Sequence, residues 1–111
     1  MNDQAKKYLV DIIDAIEKIS SFIQSTKTFD DYLNDTKTQS AVERQLSILG
    51  EAVKKFEAFS TNHKLIYSQQ IVGFRNRLIH AYDSIDNSIV WTIIHKYLEP
   101  LKQDAVNILN K

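Results

Sequence analysis

The sequence predicts an all-α fold, arranged as an antiparallel four-helix-type bundle with a short extra helix. The 111 residues include only two glycines and one proline, which leaves little turn chemistry. Apolar residues recur at spacings of three and four, and no segment alternates as a β-strand would. The length corresponds to one domain, so residues 1–111 are predicted to form a single helical domain.

The first half of the chain predicts two long helices with a short one between them. The first long helix follows an apolar stripe of about six turns. Its members are Ala5, Leu9, Ile12, Ile16, Ile19 and Ile23. A short helical turn is predicted to begin at Thr28, and Thr36-x-x-Gln39 fits a capping box for the second long helix. That helix is predicted to run to about Phe59 on a stripe of Val42, Leu46, Leu49, Val53 and Phe56.

The second half predicts two further helices after a polar loop at residues 60–63. The third helix is predicted to end near His80, with a core stripe of Tyr67, Ile71, Phe74 and Leu78. Asp86 or Asn87 can cap the last helix. Pro100 removes a backbone donor and predicts a kink there. The apolar stripe of this helix is Val90, Ile94, Tyr97, Leu101 and Ile108, and Trp91 is also expected in the core.

Composition excludes several classes of protein. The absence of cysteine excludes disulfides, thiolate catalysis and Cys-based zinc sites. Lys+Arg and Asp+Glu both number 14, so nucleic acid would have to be bound by a local basic patch. The polar N-terminus and the lack of a run of ~20 apolar residues predict no membrane association and a cytoplasmic location. His63 and His95 lack partners at ligand spacing and are expected at the surface.

The segment Arg75–Tyr82 concentrates the chemistry of the chain. It contains two arginines, an amide, an imidazole and a phenol within eight residues. A guanidinium can hold a phosphate, and an imidazole with a reference pKa of about 6.5 can exchange protons near neutral pH. Such a pair can bind and cleave a phosphodiester without a metal, so no metal site and no cofactor are predicted.

A helical wheel of the third helix predicts a second face away from the core. Relative to Gly73, the residues Val72, Arg75 and Ile79 lie between about 200° and 260°. A plain solvent face would not need Val72 and Ile79, so a second copy of the chain is expected to cover this arc as a homodimer. Arg75 and His80 are about 140° apart. They would converge only if the helix ends near His80 or if the site is completed across the dimer.

The pattern Arg75-x4-His80-x-Tyr82, with Asn76 directly after the arginine, resembles the motif of the HEPN superfamily in its HepT-like branch. Residues 41–52 resemble the second-helix pattern of that family, with Gly50-Glu51-Ala52 near its middle. The positions of Trp91 and of Pro100-Leu101 fit as well. The resemblance spans most of the chain.

The resemblance implies a metal-independent endoribonuclease that dimerises through the motif-bearing helix. It implies catalysis by Arg75 and His80, with Asn76 and Arg77 as supporting or RNA-binding residues. The protein would be the toxin of a two-gene module whose antitoxin is a minimal nucleotidyltransferase (MNT). In some such systems the antitoxin transfers adenylyl groups to the motif tyrosine, which is Tyr82 here.

A non-catalytic reading stays open beside the nuclease reading. In that alternative the chain is a partner subunit that binds a nucleotide or the nucleotidyltransferase. Arg75 would then be an interface residue that can pair with Glu51. His80 would interact with the C-terminal carbonyls of its helix, and Tyr82 would be a half-buried aromatic with a wet hydroxyl.

Overall fold

The structure is a computed structural model that describes all 111 residues, and it contains helices but no strand. The six α-helices are α1 (Asp3–Phe22), α2 (Phe29–Leu33), α3 (Thr36–Phe59), α4 (Ser68–His80), α5 (Asn87–Lys96) and α6 (Leu98–Leu109). Short 3-10 turns follow α1 at Ile23–Ser25 and α4 at Tyr82–Ser84. The all-α class is therefore confirmed, while the bundle arrangement and dimerisation stay predictions. None of the helices is long and apolar enough to cross a membrane.

The core forms where the apolar stripes of the long helices meet. The α1 helix packs mainly against α3 and also contacts α6, and α4 packs against α3 as well. All five predicted stripe residues of α3 are buried, as are the first five of α1. Ile23, the sixth, is only partly buried because it lies in the 3-10 turn that follows α1.

Two helix starts show how polar side chains set the boundaries. Thr28 begins α2 as predicted. It does so through a capping box, since the Thr28 hydroxyl accepts from the Asp31 amide at 3.1 Å and Asp31 accepts from the Thr28 amide at 3.3 Å. The capping box predicted at Thr36 and Gln39 is wrong. Asp35 is the N-cap of α3, and its carboxylate accepts from the Thr38 amide at 3.0 Å.

The side chain of Gln39 has a different role because the connection from α2 to α3 is short. Its Nε2 donates to the carbonyl of Tyr32 at 2.8 Å and to that of Leu33 at 3.2 Å. These carbonyls lie in the last turn of α2, where the i→i−4 pattern of the helix supplies no N–H, and the Tyr32 carbonyl also accepts from the Asp35 amide at 3.2 Å. Gln39 therefore joins the end of one helix to the start of the next.

The predicted last helix is divided into α5 and α6 at Tyr97. Asp86 caps α5, as one of the two predicted alternatives, by accepting from the Ser88 amide at 2.8 Å. The division lies one turn before Pro100, because proline lacks an N–H and its ring crowds the carbonyl four residues earlier. Trp91 is only partly buried, and its ring lies beside those of Phe29, Tyr32 and His95.

The start of α4 is held by the helices around it. Its N-cap, Tyr67, has a left-handed backbone (φ 62°) and stacks on Tyr97, with 4.5 Å between ring centroids. Tyr67 is therefore half-buried, whereas the other three predicted core residues of α4 are buried. The preceding loop is tied to α3 and α6, because carboxylates of Glu57 and Asp104 accept from backbone amides at 2.9 Å. The predicted end of α4 at His80 is confirmed.

Gly50 allows α3 and α4 to approach closely. A Cβ atom on Gly50 would overlap the Cβ of Arg75 and would lie 2.7 Å from its Cγ. It would also lie 3.3 Å from the backbone oxygen of Ile71. The other glycine, Gly73 on α4, has nothing within 4 Å of the same position. The two helical glycines therefore differ in their steric surroundings.

Substituting each glycine with alanine should change stability in opposite directions. Gly73→Ala should raise the free energy of unfolding by about 0.5–1 kcal/mol, because alanine favours a helix and the site is open. Gly50→Ala should lower it by about 1–3 kcal/mol, because overpacking outweighs helix propensity. Chemical denaturation of both variants measures the difference. A Gly50→Ala protein as stable as the parent would refute the steric argument.

Acidification should weaken the caps of α3 and α5. Hydrogen bonds from Thr38 lower the pKa of Asp35, and those from Ser88 lower the pKa of Asp86. A carboxylate whose pKa is lower in the folded state stabilises the protein above its unfolded pKa of about 4. This stabilisation is lost as the pH falls through the folded-state pKa. Asparagine also caps helices but does not titrate. The melting temperature of the Asp35→Asn/Asp86→Asn protein should therefore fall less on acidification than that of the parent. Asp14→Asn is the control. It removes a carboxylate that does not cap a helix, so its melting temperature should fall as much as that of the parent.

Candidate functional site

Arg75 projects from α4 against α3 and is the most constrained polar side chain of the motif. Its side chain is 20% exposed, and its Nη2 lies 2.6 Å from Oε2 of Glu51. Its Nη1 donates to Oδ1 of Asn76 at 3.0 Å. Arg75 Nε and Glu51 Oε2 are buried without an aligned hydrogen-bond partner, so the contact with Glu51 is an ion pair. The pairing of Arg75 with Glu51 raised by the sequence is thus present.

Glu51 also lies near a second cation on its own helix. Its Oε1 is 3.7 Å from Nζ of Lys55, one turn further along α3. The three side chains form a row in which one carboxylate lies between two cations. The formal charge of this group is +1, so the region around Arg75 stays positive despite the ion pair.

A groove of about 400 Å³ opens beside this group, between α1, α3 and α4. Arg75, Glu51 and Lys55 line it together with Tyr8 of α1. Ile79 and Ile48 also line it and are 45% and 39% exposed, which gives the groove an apolar rim. Val72, the other residue predicted at a dimer seam, is half-buried and lines a second groove with Gly73 and Asn76. Because Val72 and Ile79 are seven residues apart on α4, they lie along one side of the helix.

His80 is exposed at the last position of α4. Arg75 and His80 both lie within the regular helix, so their side chains leave it about 140° apart. The end of α4 comes after His80 and does not turn the two side chains towards each other. Within one chain the two predicted catalytic residues therefore do not form a joint site.

The remaining motif residues lie on different sides of the helix end. Asn76 is exposed and contacts Arg75. Arg77 is exposed and lines a separate groove of about 370 Å³ between α4 and α5, with Phe74 and Ile89. Tyr82 lies in the 3-10 turn beyond α4 and is 74% exposed.

The sequence as a whole matches the family model of the HepT-like ribonucleases over residues 12–108. The chain belongs to this family. The matched range contains Gly50, Glu51 and all of the Arg75–Tyr82 segment. The Glu51–Arg75 contact therefore joins the two parts of this HepT-like chain on which the resemblance rested.

Several proteins are similar to this HepT-like chain over most of its length. One from Thermococcus cleftensis, named "Probable ribonuclease HepT", is 39% identical over 103 residues, which are 92% of this chain and 93% of the relative. One from Methanocaldococcus jannaschii is 37% identical over 90 residues, 80% of this chain and 74% of the relative. One from Caldanaerobacter subterraneus is 31% identical over 107 residues, 96% and 95% of the two chains. The latter two carry provisional names as RNases. No solved structure matches.

Sequence reasoning missed two residues around Arg75. The clearance role of Gly50 depends on how closely two helices approach, and the sequence does not encode that distance directly. Lys55 could have been found, because Glu51 and Lys55 are spaced i, i+4 on a helix. Away from the motif, His63 is partly buried and its Nδ1 lies 2.6 Å from the Ser60 hydroxyl. No three His, Cys, Asp or Glu side chains are grouped as a metal site.

Proposed function

We propose that this HepT-like chain is a metal-independent endoribonuclease, the toxin of a two-gene module with an MNT-type nucleotidyltransferase antitoxin. The observation that carries the proposal is the constrained guanidinium of Arg75 on the same helix as the exposed imidazole of His80, in a chain of this family. Arg75 binds the scissile phosphate and stabilises its developing negative charge. His80 exchanges protons with the reacting oxygens.

The reaction uses the nucleophile that RNA itself carries. A base removes the proton of the 2′-OH, the 2′ oxygen bonds to the adjacent phosphorus, and the bond to the 5′ oxygen breaks. An acid protonates the departing 5′ oxygen. The products are a 2′,3′-cyclic phosphate and a 5′-OH end. DNA lacks the 2′-OH and is not a substrate for this route.

A two-fold dimer supplies the convergence that a single chain lacks. Arg75 and His80 leave one helix in different directions, so His80 of one copy acts beside Arg75 of the other. One imidazole is then the base and the second is the acid. Val72 and the exposed Ile79 support this arrangement, because they place apolar surface along the same side of α4 as Arg75.

The other motif residues take supporting roles in this proposal. Asn76 orients the guanidinium that it contacts at 3.0 Å. Arg77 faces the α4–α5 groove and binds a flanking phosphate. The hydroxyl oxygen of the exposed Tyr82 attacks the α-phosphorus of an ATP molecule bound by the nucleotidyltransferase, and pyrophosphate leaves as the phosphoanhydride bond breaks. The adenylyl group on Tyr82 then adds bulk and negative charge next to the motif and thereby opposes RNA binding.

A second candidate function is a non-catalytic subunit that binds a nucleotide or the nucleotidyltransferase. The groove beside Arg75 favours it, because about 400 Å³ with a cationic wall and an apolar rim suits a nucleotide. In this reading Arg75 holds a phosphate and His80 has no chemical role.

Cleavage of a mixed RNA pool in EDTA tests the proposal directly. The parent should cut and leave cyclic-phosphate ends. Arg75→Ala and His80→Ala should lower the rate by about 10²–10⁴-fold, typical of losing charge stabilisation or acid–base catalysis. Folding of each variant is checked by circular dichroism. Strict dependence of cutting on added Mg²⁺ would refute the metal-independent mechanism. No cutting by an unmodified, folded and dimeric parent would favour the second candidate.

Changing Ile79 to aspartate should separate the two copies and remove the activity together. Ile79 is 45% exposed in the single chain, so the substitution should cost the isolated fold little. In a dimer seam it would bury unpaired carboxylates. Light scattering and the cleavage assay measure the two effects, with Val10→Asp, at a 50% exposed position of α1, as the control. An active monomer would exclude the shared site.

A further inference from the structure

We infer that Glu51 is a positioning residue for Arg75 and that Lys55 keeps the resulting phosphate site positive. The inference rests on the proposed function, in which Arg75 binds the scissile phosphate of RNA. It adds two residues of α3 to a site that the motif places entirely on α4 and the following turn. Three features of the structure support it: the clearance at the root of Arg75, the contacts at its tip and the charge around it.

The root of the Arg75 side chain is fixed by packing. Its Cβ and Cγ occupy the space that a side chain at position 50 would need, so α3 bounds the first part of the arginine. This packing does not fix the orientation of the guanidinium at the end of the side chain. The glycine thus brings the arginine close enough to α3 for the next residue, Glu51, to reach its tip.

The tip of Arg75 is then held from two sides. Glu51 Oε2 lies 2.6 Å from Nη2, and Asn76 Oδ1 accepts from Nη1 at 3.0 Å. Because only 20% of the side chain is exposed, few other rotamers are open to it. A guanidinium fixed in this way loses less conformational entropy when it binds a phosphate than a free one does. Glu51 therefore improves RNA binding by reducing the motion of Arg75.

Lys55 offsets the negative charge that Glu51 brings to the phosphate site. A lone carboxylate beside Arg75 would cancel its charge and repel a phosphate. Lys55 lies 3.7 Å from the other oxygen of Glu51, so the group of three keeps a formal charge of +1. Lys55 is 51% exposed, which lets its ammonium also interact with the RNA backbone.

Binding of labelled single-stranded RNA, measured in a His80→Ala background that prevents cleavage, tests the inference. Glu51→Gln should weaken binding by about tenfold, a typical coupling for contacting residues. Loss of a negative charge alone would strengthen binding, so the two explanations predict opposite signs. When Arg75 is already alanine, Glu51→Gln should no longer weaken binding, because only the loss of the negative charge remains. Asp14→Asn is the matched control, because it also removes one carboxylate from a pair with lysine.

Lys55→Gln gives a second, independent readout. It should weaken RNA binding and lower the slope of log affinity against log salt concentration by about 0.7, as expected for one lost cation near single-stranded RNA. Glu51→Gln should leave that slope nearly unchanged. Melting temperatures close to that of the parent confirm that each variant is folded.

The possible outcomes separate the inference from the proposed function. If Arg75→Ala weakens binding but Glu51→Gln leaves it unchanged or strengthens it, Glu51 does not position Arg75 and the proposed function stands. A faster cleavage rate in Glu51→Gln with an intact His80 would identify Glu51 as an inhibitory contact and overturn the inference. If Arg75→Ala binds RNA as well as the parent, both the inference and the phosphate-binding role of Arg75 fail.

Discussion

The close approach of α3 and α4 at Gly50 is the constraint on which the candidate site depends. It allows the root of Arg75 to lie against α3, and it brings the guanidinium within reach of Glu51. The same helix pair is central to the core, because α3 packs against both α1 and α4. The glycine of the Gly50-Glu51-Ala52 segment therefore serves the fold, whereas the glutamate beside it contacts the motif.

The sides of α4 have different surroundings, which separates residues that are neighbours in sequence. Arg75 and Ile79 line the groove next to α1 and α3, whereas Arg77 lines the groove next to α5. The two arginines of the motif thus cannot hold the same phosphate within one chain. Only Arg75 is restrained by partners in the chain, and an ion pair is worth most when its members are partly buried and fixed in orientation. This asymmetry favours Arg75 as the residue that contacts the reacting group.

The sequence predicted the helices well because their apolar stripes are long and regular. It also identified the Thr28 cap and the Asp86 cap, which depend only on local residues. It failed at Gln39, whose side chain bonds to the preceding helix, and it placed the break of the last helix at Pro100 rather than at Tyr97. These features depend on neighbours in space or on a clash one turn away. The motif residues could be found from sequence because they follow one another along the chain. The clearance at Gly50 could not, because it depends on how closely two helices approach.

In the proposed mechanism the side chain of Arg75 is held in place and that of His80 is exposed, and this difference suits their chemical roles. A phosphate-binding guanidinium is most effective when it is fixed before the substrate arrives, because stabilisation by preorganised charge requires no rearrangement during the reaction. An imidazole that takes a proton from the 2′ oxygen, or gives one to the 5′ oxygen, must be accessible to the RNA. Arg75 is enclosed and paired, and His80 is exposed at a helix end. A site shared between two copies would bring these two kinds of group together while each chain keeps its own arginine fixed.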